Sequence, residues 1–95
     1  MISLVVKVRA LPGKEQDYAK YSKEFGQYVE ANRAGNILFR TYRTNDPLEF
    51  VTIEHFEDEA ALATHQAADD TKAALERLQG VIDGELQAQI YTQEL

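Results

Sequence analysis

Phe50 to His65 reads FVTIEHFEDEAALATH, and the fold turns on this stretch. Phe50, Thr52, Glu54 and Phe56 share one side of a strand, while Val51, Ile53 and His55 share the other. The acidic break Glu57-Asp58-Glu59 follows. Asp58 is a natural N-cap, and Glu59 suits the first turn of a helix. In that helix Leu62 and His65 lie three apart on one face, and Ala60, Ala61, Ala63, Ala67 and Ala68 keep it slim. A strand, a turn and a helix bearing one histidine are the wall of a small pocket, so the same stretch carries the chemical interest.

Working upstream, Thr44-Asn45-Asp46-Pro47 is turn chemistry, and residues 36–44 alternate as a strand. Ile37, Phe39 and Thr41 take one face; Leu38, Arg40 and Tyr42 take the other. The short link makes 36–56 an antiparallel hairpin. Large apolar groups occur on both of its faces, which predicts that the second face is covered as well, by another subunit. Residues 2–10 form a further strand with Ile2, Leu4, Val6, Val8 and Ala10 on its apolar side, ended by Leu11-Pro12-Gly13. From Lys14 to Asn32 the period becomes helical, with Tyr18, Tyr21, Phe25, Tyr28 and Asn32 as the stripe and Gly35 as a stop.

Downstream, Asp69-Asp70 is expected to break or cap the histidine helix. Helix resumes over Thr71–Leu78, Gly80 and Gly84 bracket a loop, and a last strand runs over 85–93. The order is βαββαβ. With right-handed crossovers this predicts an α+β, ferredoxin-like fold: a four-stranded antiparallel sheet with helices on one face, in one domain spanning 1–95.

Composition narrows the function. A chain of 95 residues has a marginal core that pairing with another copy would help. The net charge of −6 and scattered basic residues argue against nucleic acid or an anionic membrane surface as partner. The absence of cysteine removes disulfides, thiolate metal sites and cysteine nucleophiles, and fits a cytoplasmic protein. The alternating start MISLVVKVRA lacks the features of a signal peptide, and no apolar run reaches bilayer-spanning length.

Few residues point to chemistry. Ser3 and Ser22 lack a nucleophile-elbow context, and Gly80 and Gly84 are too sparse for a phosphate loop. His55 and His65 have no metal-ligand spacing, so no metal is expected. His65 reads either as an inert, hydrogen-bonded helix histidine or as a general base or charge-stabilising donor in a pocket. Glu54 reads as a strand-end carboxylate that reaches solvent or pairs with an arginine, or as a pocket residue. The Tyr18/Tyr21/Phe25/Tyr28 stripe is core whose hydroxyls edge a pocket for a flat ring. Arg40 and Arg43 are surface ion pairs or hold an anionic ligand.

Taken in order, several motifs resemble the antibiotic biosynthesis monooxygenase family. They are Leu11-Pro12-Gly13-Lys14, Ala34-Gly35-Asn36, Tyr42-Arg43-Thr44-Asn45-Asp46-Pro47, and Phe50-Val51-Thr52-Ile53-Glu54-x-Phe56 followed by Ala60-Ala61-Leu62-x-x-His65. Two positions depart from the pattern: Phe56 stands where tryptophan is common, and Asp69-Asp70-Thr71 where a further histidine or aromatic residue is common. Haem-degrading relatives use a first-strand asparagine and a tryptophan; this chain has neither.

The resemblance implies a dimeric α/β barrel and an apolar pocket. It also implies cofactor-free oxygenation of a small quinol or polycyclic phenol, with neither flavin, haem nor metal. His65 would be the catalytic base or anion stabiliser, with Glu54, Phe56, Tyr21, Phe25 and Leu62 around the substrate. Two other readings share the fold: a ligand-binding domain without turnover, and a non-oxidative isomerase of a small carbonyl compound.

Overall fold

A computed structural model describes residues 1–95. Its elements are β1 (Ile2–Arg9), α1 (Glu15–Asn32), β2 (Asn36–Arg43), β3 (Glu49–Phe56), α2 (Glu59–Ala67), α3 (Asp69–Gln79) and β4 (Gln87–Tyr91). The strands form one antiparallel sheet in the order β2-β3-β1-β4. This is the ferredoxin-like α+β arrangement expected from the sequence.

Register follows the alternation. On β1 and β3, Leu4 pairs with Glu54, Val6 with Thr52 and Val8 with Phe50. The side chains of the 50/52/54/56 set all point under the helices and are buried. Apolar residues lie at its ends. Phe50 joins Val8, Ala10, Tyr18, Val81 and Ile82 in one core cluster. Phe56 joins Ile2, Leu4 and Leu62 in another. Thr52 and Glu54 sit between the two.

Three details differ from the expected pattern. The helix carrying His65 ends at Ala67, and extended backbone at Ala68 (ψ 141°) makes the break; Asp69 and Asp70 instead open α3 as its first turn. Acidic groups there complement the positive end of the helix dipole. Second, β2 carries a register shift between Asn36 and Leu38, so Ile37 is half-exposed instead of facing inward with Phe39.

Third, the buried side of α1 is Tyr18, Ser22, Gly26 and Val29, whereas Tyr28 is half-exposed. Hydropathy could not single out two of these. Ser22 is buried because its hydroxyl bonds Thr41 (2.6 Å), which in turn bonds Thr52 (2.8 Å). Gly26 is buried because α1 crosses β2 there without room for a side chain. A β-carbon at Gly26 would lie 2.8 Å from the Phe39 carbonyl oxygen and 2.9 Å from its ring.

The side of the sheet away from the helices is bare. Val5, Leu38, Val51 and Ile53 are partly buried by their neighbours, and Tyr42 and Tyr91 are half-exposed beside them. No helix is long and apolar enough to cross a membrane.

Gly26→Ala is expected to destabilise the fold. Alanine favours a helix over glycine by about 1 kcal/mol, but forcing β2 away costs about 1–3 kcal/mol. A urea midpoint below wild type with an unchanged m value is the expected result, and an increased midpoint would contradict the close packing.

Candidate functional site

A cavity of about 230 Å³ opens between the covered face of the sheet and helices α1 and α3. It occupies the gap between the two apolar clusters. Its walls include Leu4 and Val6 from β1, Phe25 from α1, Leu75 and Leu78 from α3, and Ile90 from β4. Glu54, His65 and Thr52 supply polar groups among these apolar walls.

Local structure explains why His65 arrives there. Asp58 caps α2, its carboxylate accepting from the Ala61 N–H (2.8 Å). Gly35 (φ +82°) lies against this helix, where an added β-carbon would meet Ala61 at 2.5 Å. The Glu57 N–H donates to the Gly35 carbonyl (2.9 Å) and ties the two loops together. Two turns beyond the cap, the His65 ring faces Phe56, Phe39 and Phe25 with centroids 5.1, 5.9 and 6.1 Å away. Only 4% of the residue remains exposed.

Glu54 is equally buried. Its Oε1 has no hydrogen-bond partner; the nearest cationic candidate is His65 Nε2, at 3.6 Å. That separation satisfies an ion-pair distance but is too long for a hydrogen bond. Burial decides the charge state of both groups. It pushes the Glu54 carboxyl up to about 7. Burial, with Arg33 beside the ring, pushes His65 down to about 4. Around pH 6 both groups are therefore neutral, and the contact is not a salt bridge. The Glu54 carboxyl thus places an oxygen without a protein hydrogen-bond partner in a largely apolar wall.

The other side of the imidazole is well supported. His65 Nδ1 accepts from Arg33 Nε (3.2 Å) and lies 3.4 Å from the Thr71 hydroxyl. Arg33 also donates to Thr71 (3.3 Å) and pairs with Asp70, which accepts from the Tyr28 hydroxyl (2.8 Å). Bonding to Arg33 and Tyr28 holds the Asp70 carboxylate below its usual range.

Of the residues singled out in the sequence, His65, Glu54 and Phe25 meet at the cavity. Phe56 is fully buried behind the His65 ring, and Leu62 packs in the same cluster as Phe56. Tyr21 lies elsewhere, under the Arg77 guanidinium at 3.7 Å, and borders a separate shallow depression. Arg40 pairs with Glu30 (2.9 Å) and Arg43 lies over the Phe50 ring. Both border an open groove of about 550 Å³ between α1 and β2, distinct from the cavity. This groove is the larger concavity but the more polar, and it lacks the buried titratable pair.

Sequence reasoning did not reach Arg33 or Thr71 as partners of His65. Arg33 is 32 positions from His65, and no local pattern joins them.

The family model for antibiotic biosynthesis monooxygenases matches residues 1–77. The chain belongs to the antibiotic biosynthesis monooxygenase family. Solved structures of similar fold include a conserved protein from Methanosarcina mazei Go1, 24% identical with a TM-score of 0.89 over 98% of this chain and 92% of that one. A candidate antibiotic biosynthesis monooxygenase from Deinococcus radiodurans is 18% identical, with a TM-score of 0.92 over 100% and 94%. PA3566 from Pseudomonas aeruginosa is 18% identical, with a TM-score of 0.86 over 99% and 94%. At these identities the likeness concerns the fold. A comparison with functionally curated proteins found no match. In this antibiotic biosynthesis monooxygenase relative, family membership rests on the chain from β1 into α3, which includes every residue of the Glu54–His65–Arg33 arrangement.

The two neutral groups should oppose each other in stability. Glu54 has a folded value (about 7) above its ordinary 4.5, so its contribution is complete below pH 4.5 and is lost as pH rises to 7. His65 has a folded value (about 4) below its ordinary 6.5, so its contribution is complete above pH 6.5 and is lost as pH falls to 4. Relative to wild type, Glu54→Gln should gain stability with rising pH between 4.5 and 7. His65→Gln should lose it between 4 and 6.5 as pH rises, relative to wild type. Each difference is limited to about 1.4 kcal/mol per pH unit. Urea titrations across this range test it; parallel curves for all three proteins would refute the neutral pair.

Proposed function

We propose that the protein is a monooxygenase of small quinols, acting in the Glu54–His65 cavity as a homodimer. The observation that carries the reading is the buried, unpartnered Glu54 oxygen beside the His65 imidazole in a largely apolar pocket. A volume of about 230 Å³ is below the roughly 300–1,000 Å³ usual for larger ligands. This favours one or two fused rings over a polycyclic phenol.

In the reaction, the ionised Glu54 accepts a phenolic proton from the bound quinol. A carboxyl that titrates near neutrality suits this task, whereas His65 is too weak a base. His65 acts as a neutral donor toward the phenolate oxygen. The quinolate passes an electron to O₂, and the two radicals combine at a ring carbon. The O–O bond then breaks, the ring C–H proton is lost, and a hydroxyquinone and water leave. The quinol supplies all four electrons that O₂ accepts. The apolar walls limit the water that reaches the anion while this occurs.

Oxygen-electrode assays with mono- and bicyclic hydroquinones test the reading. Turnover of at least one, with hydroxyquinone as product, is expected, and kcat/KM should rise through about pH 7 as Glu54 ionises. Glu54→Gln should lower kcat by about 10²–10⁴-fold. No uptake above the uncatalysed rate with any of these substrates would overturn it.

The dimer reading draws on the bare sheet face with Val5, Leu38, Tyr42, Val51, Ile53 and Tyr91. Pairing two such faces would bury both. Light scattering at micromolar concentration should give twice the 10.8 kDa chain mass. A monomer throughout would refute it, and Ile53→Lys should shift the protein toward monomer.

A further inference from the structure

We infer that Arg33 is a positioning residue that fixes the His65 tautomer, holding the ring proton on Nε2 so that an N–H points at Glu54 and the cavity. This deepens the proposed function and rests on its reading of the Glu54–His65 pair as the site of reaction.

Hydrogen-bond chemistry carries the inference. A guanidinium has N–H donors and no acceptor. Arg33 Nε lies 3.2 Å from His65 Nδ1, so Nδ1 must present its lone pair. A neutral imidazole carries one proton, and it is then on Nε2. Nε2 is the nitrogen 3.6 Å from Glu54 Oε1. Thr71 is the other neighbour of Nδ1, at 3.4 Å. Its hydroxyl accepts from Arg33 NH2, leaving its own proton free to point at Nδ1.

Arg33 is itself held. It is the C-cap of α1, and its backbone N–H donates to the Val29 carbonyl (2.8 Å). Its side chain is mostly buried and pairs with Asp70 in the first turn of α3. Asp70 is in turn fixed by Tyr28. The titratable and charged groups facing His65 are therefore Glu54 from β3, Arg33 after α1 and Asp70 from α3, with Phe25, Phe39 and Phe56 filling the rest. Such an arrangement commits His65 to donation. Proton uptake at Nδ1 would have to displace Arg33 and place two cations together.

Histidine-labelled ¹⁵N NMR at pH 7 reads the tautomer directly and needs no substrate. In wild type, His65 should show a protonated Nε2 and an unprotonated, hydrogen-bonded Nδ1. A protonated Nδ1, or the imidazolium form, would overturn the inference. Arg33→Met should introduce a population with Nδ1 protonated and raise the pH at which the imidazolium forms above about 4. An unchanged tautomer in Arg33→Met would overturn it.

Thr71→Val removes the alternative Nδ1 partner and should leave the wild-type tautomer in place; loss of that tautomer would assign the role to Thr71. If Arg33→Met does not fold, wild type and Thr71→Val decide the matter. The outcome separates from that of the proposed function. A protein with the Nε2–H tautomer and no oxygen uptake loses the reaction but keeps Arg33, and an active protein with the Nδ1–H tautomer does the reverse.

Discussion

A carboxyl group in the middle of the covered sheet face is the constraint around which the structure is arranged. Burying Glu54 without a full hydrogen-bond partner is unfavourable, by about 1–3 kcal/mol for an unsatisfied polar group. The apolar clusters at Phe50 and Phe56 lie on either side and offset that cost. Between them the core does not close. The resulting cavity has the carboxyl and an imidazole in one wall and aliphatic side chains around them.

The same burial selects the chemistry. In water a glutamate and a histidine near pH 6 would both be largely charged and would pair. Here desolvation reverses both, leaving a neutral acid and a neutral imidazole that exchange no proton. Under the proposed reaction the roles divide accordingly, with Glu54 accepting the proton and His65 donating a hydrogen bond. The resemblance to the family leaves His65 as either the base or an anion stabiliser. The geometry behind the ring favours the second role, because Arg33 occupies the nitrogen that would take a proton.

Much of this was legible in the sequence. The period of two along Phe50–Phe56 and Ile2–Ala10 placed the inward faces correctly, since a strand allows only two orientations. Asp58 announced the start of α2 through a local bond that requires no distant partner. The buried side of α1 was less legible. An aromatic stripe suggested Tyr28 over Ser22 and Gly26, but a glycine chosen for close approach and a serine satisfied by Thr41 have no hydropathy signal. The bulge beside Ile37 was likewise invisible, because register shifts depend on the partner strand.

By itself, then, the sequence determined the βαββαβ order, the inward set on β3 and the placing of Glu54 and His65 on elements that adjoin. Those are consequences of periodicity and capping, which act within a few residues. Tertiary structure alone decided that the carboxyl and the imidazole face one cavity, that both are neutral near pH 6, and that Arg33 and Asp70 secure the ring from behind. Protonation and hydrogen-bond partners depend on burial and on groups dozens of residues away, and only the folded chain brings those together.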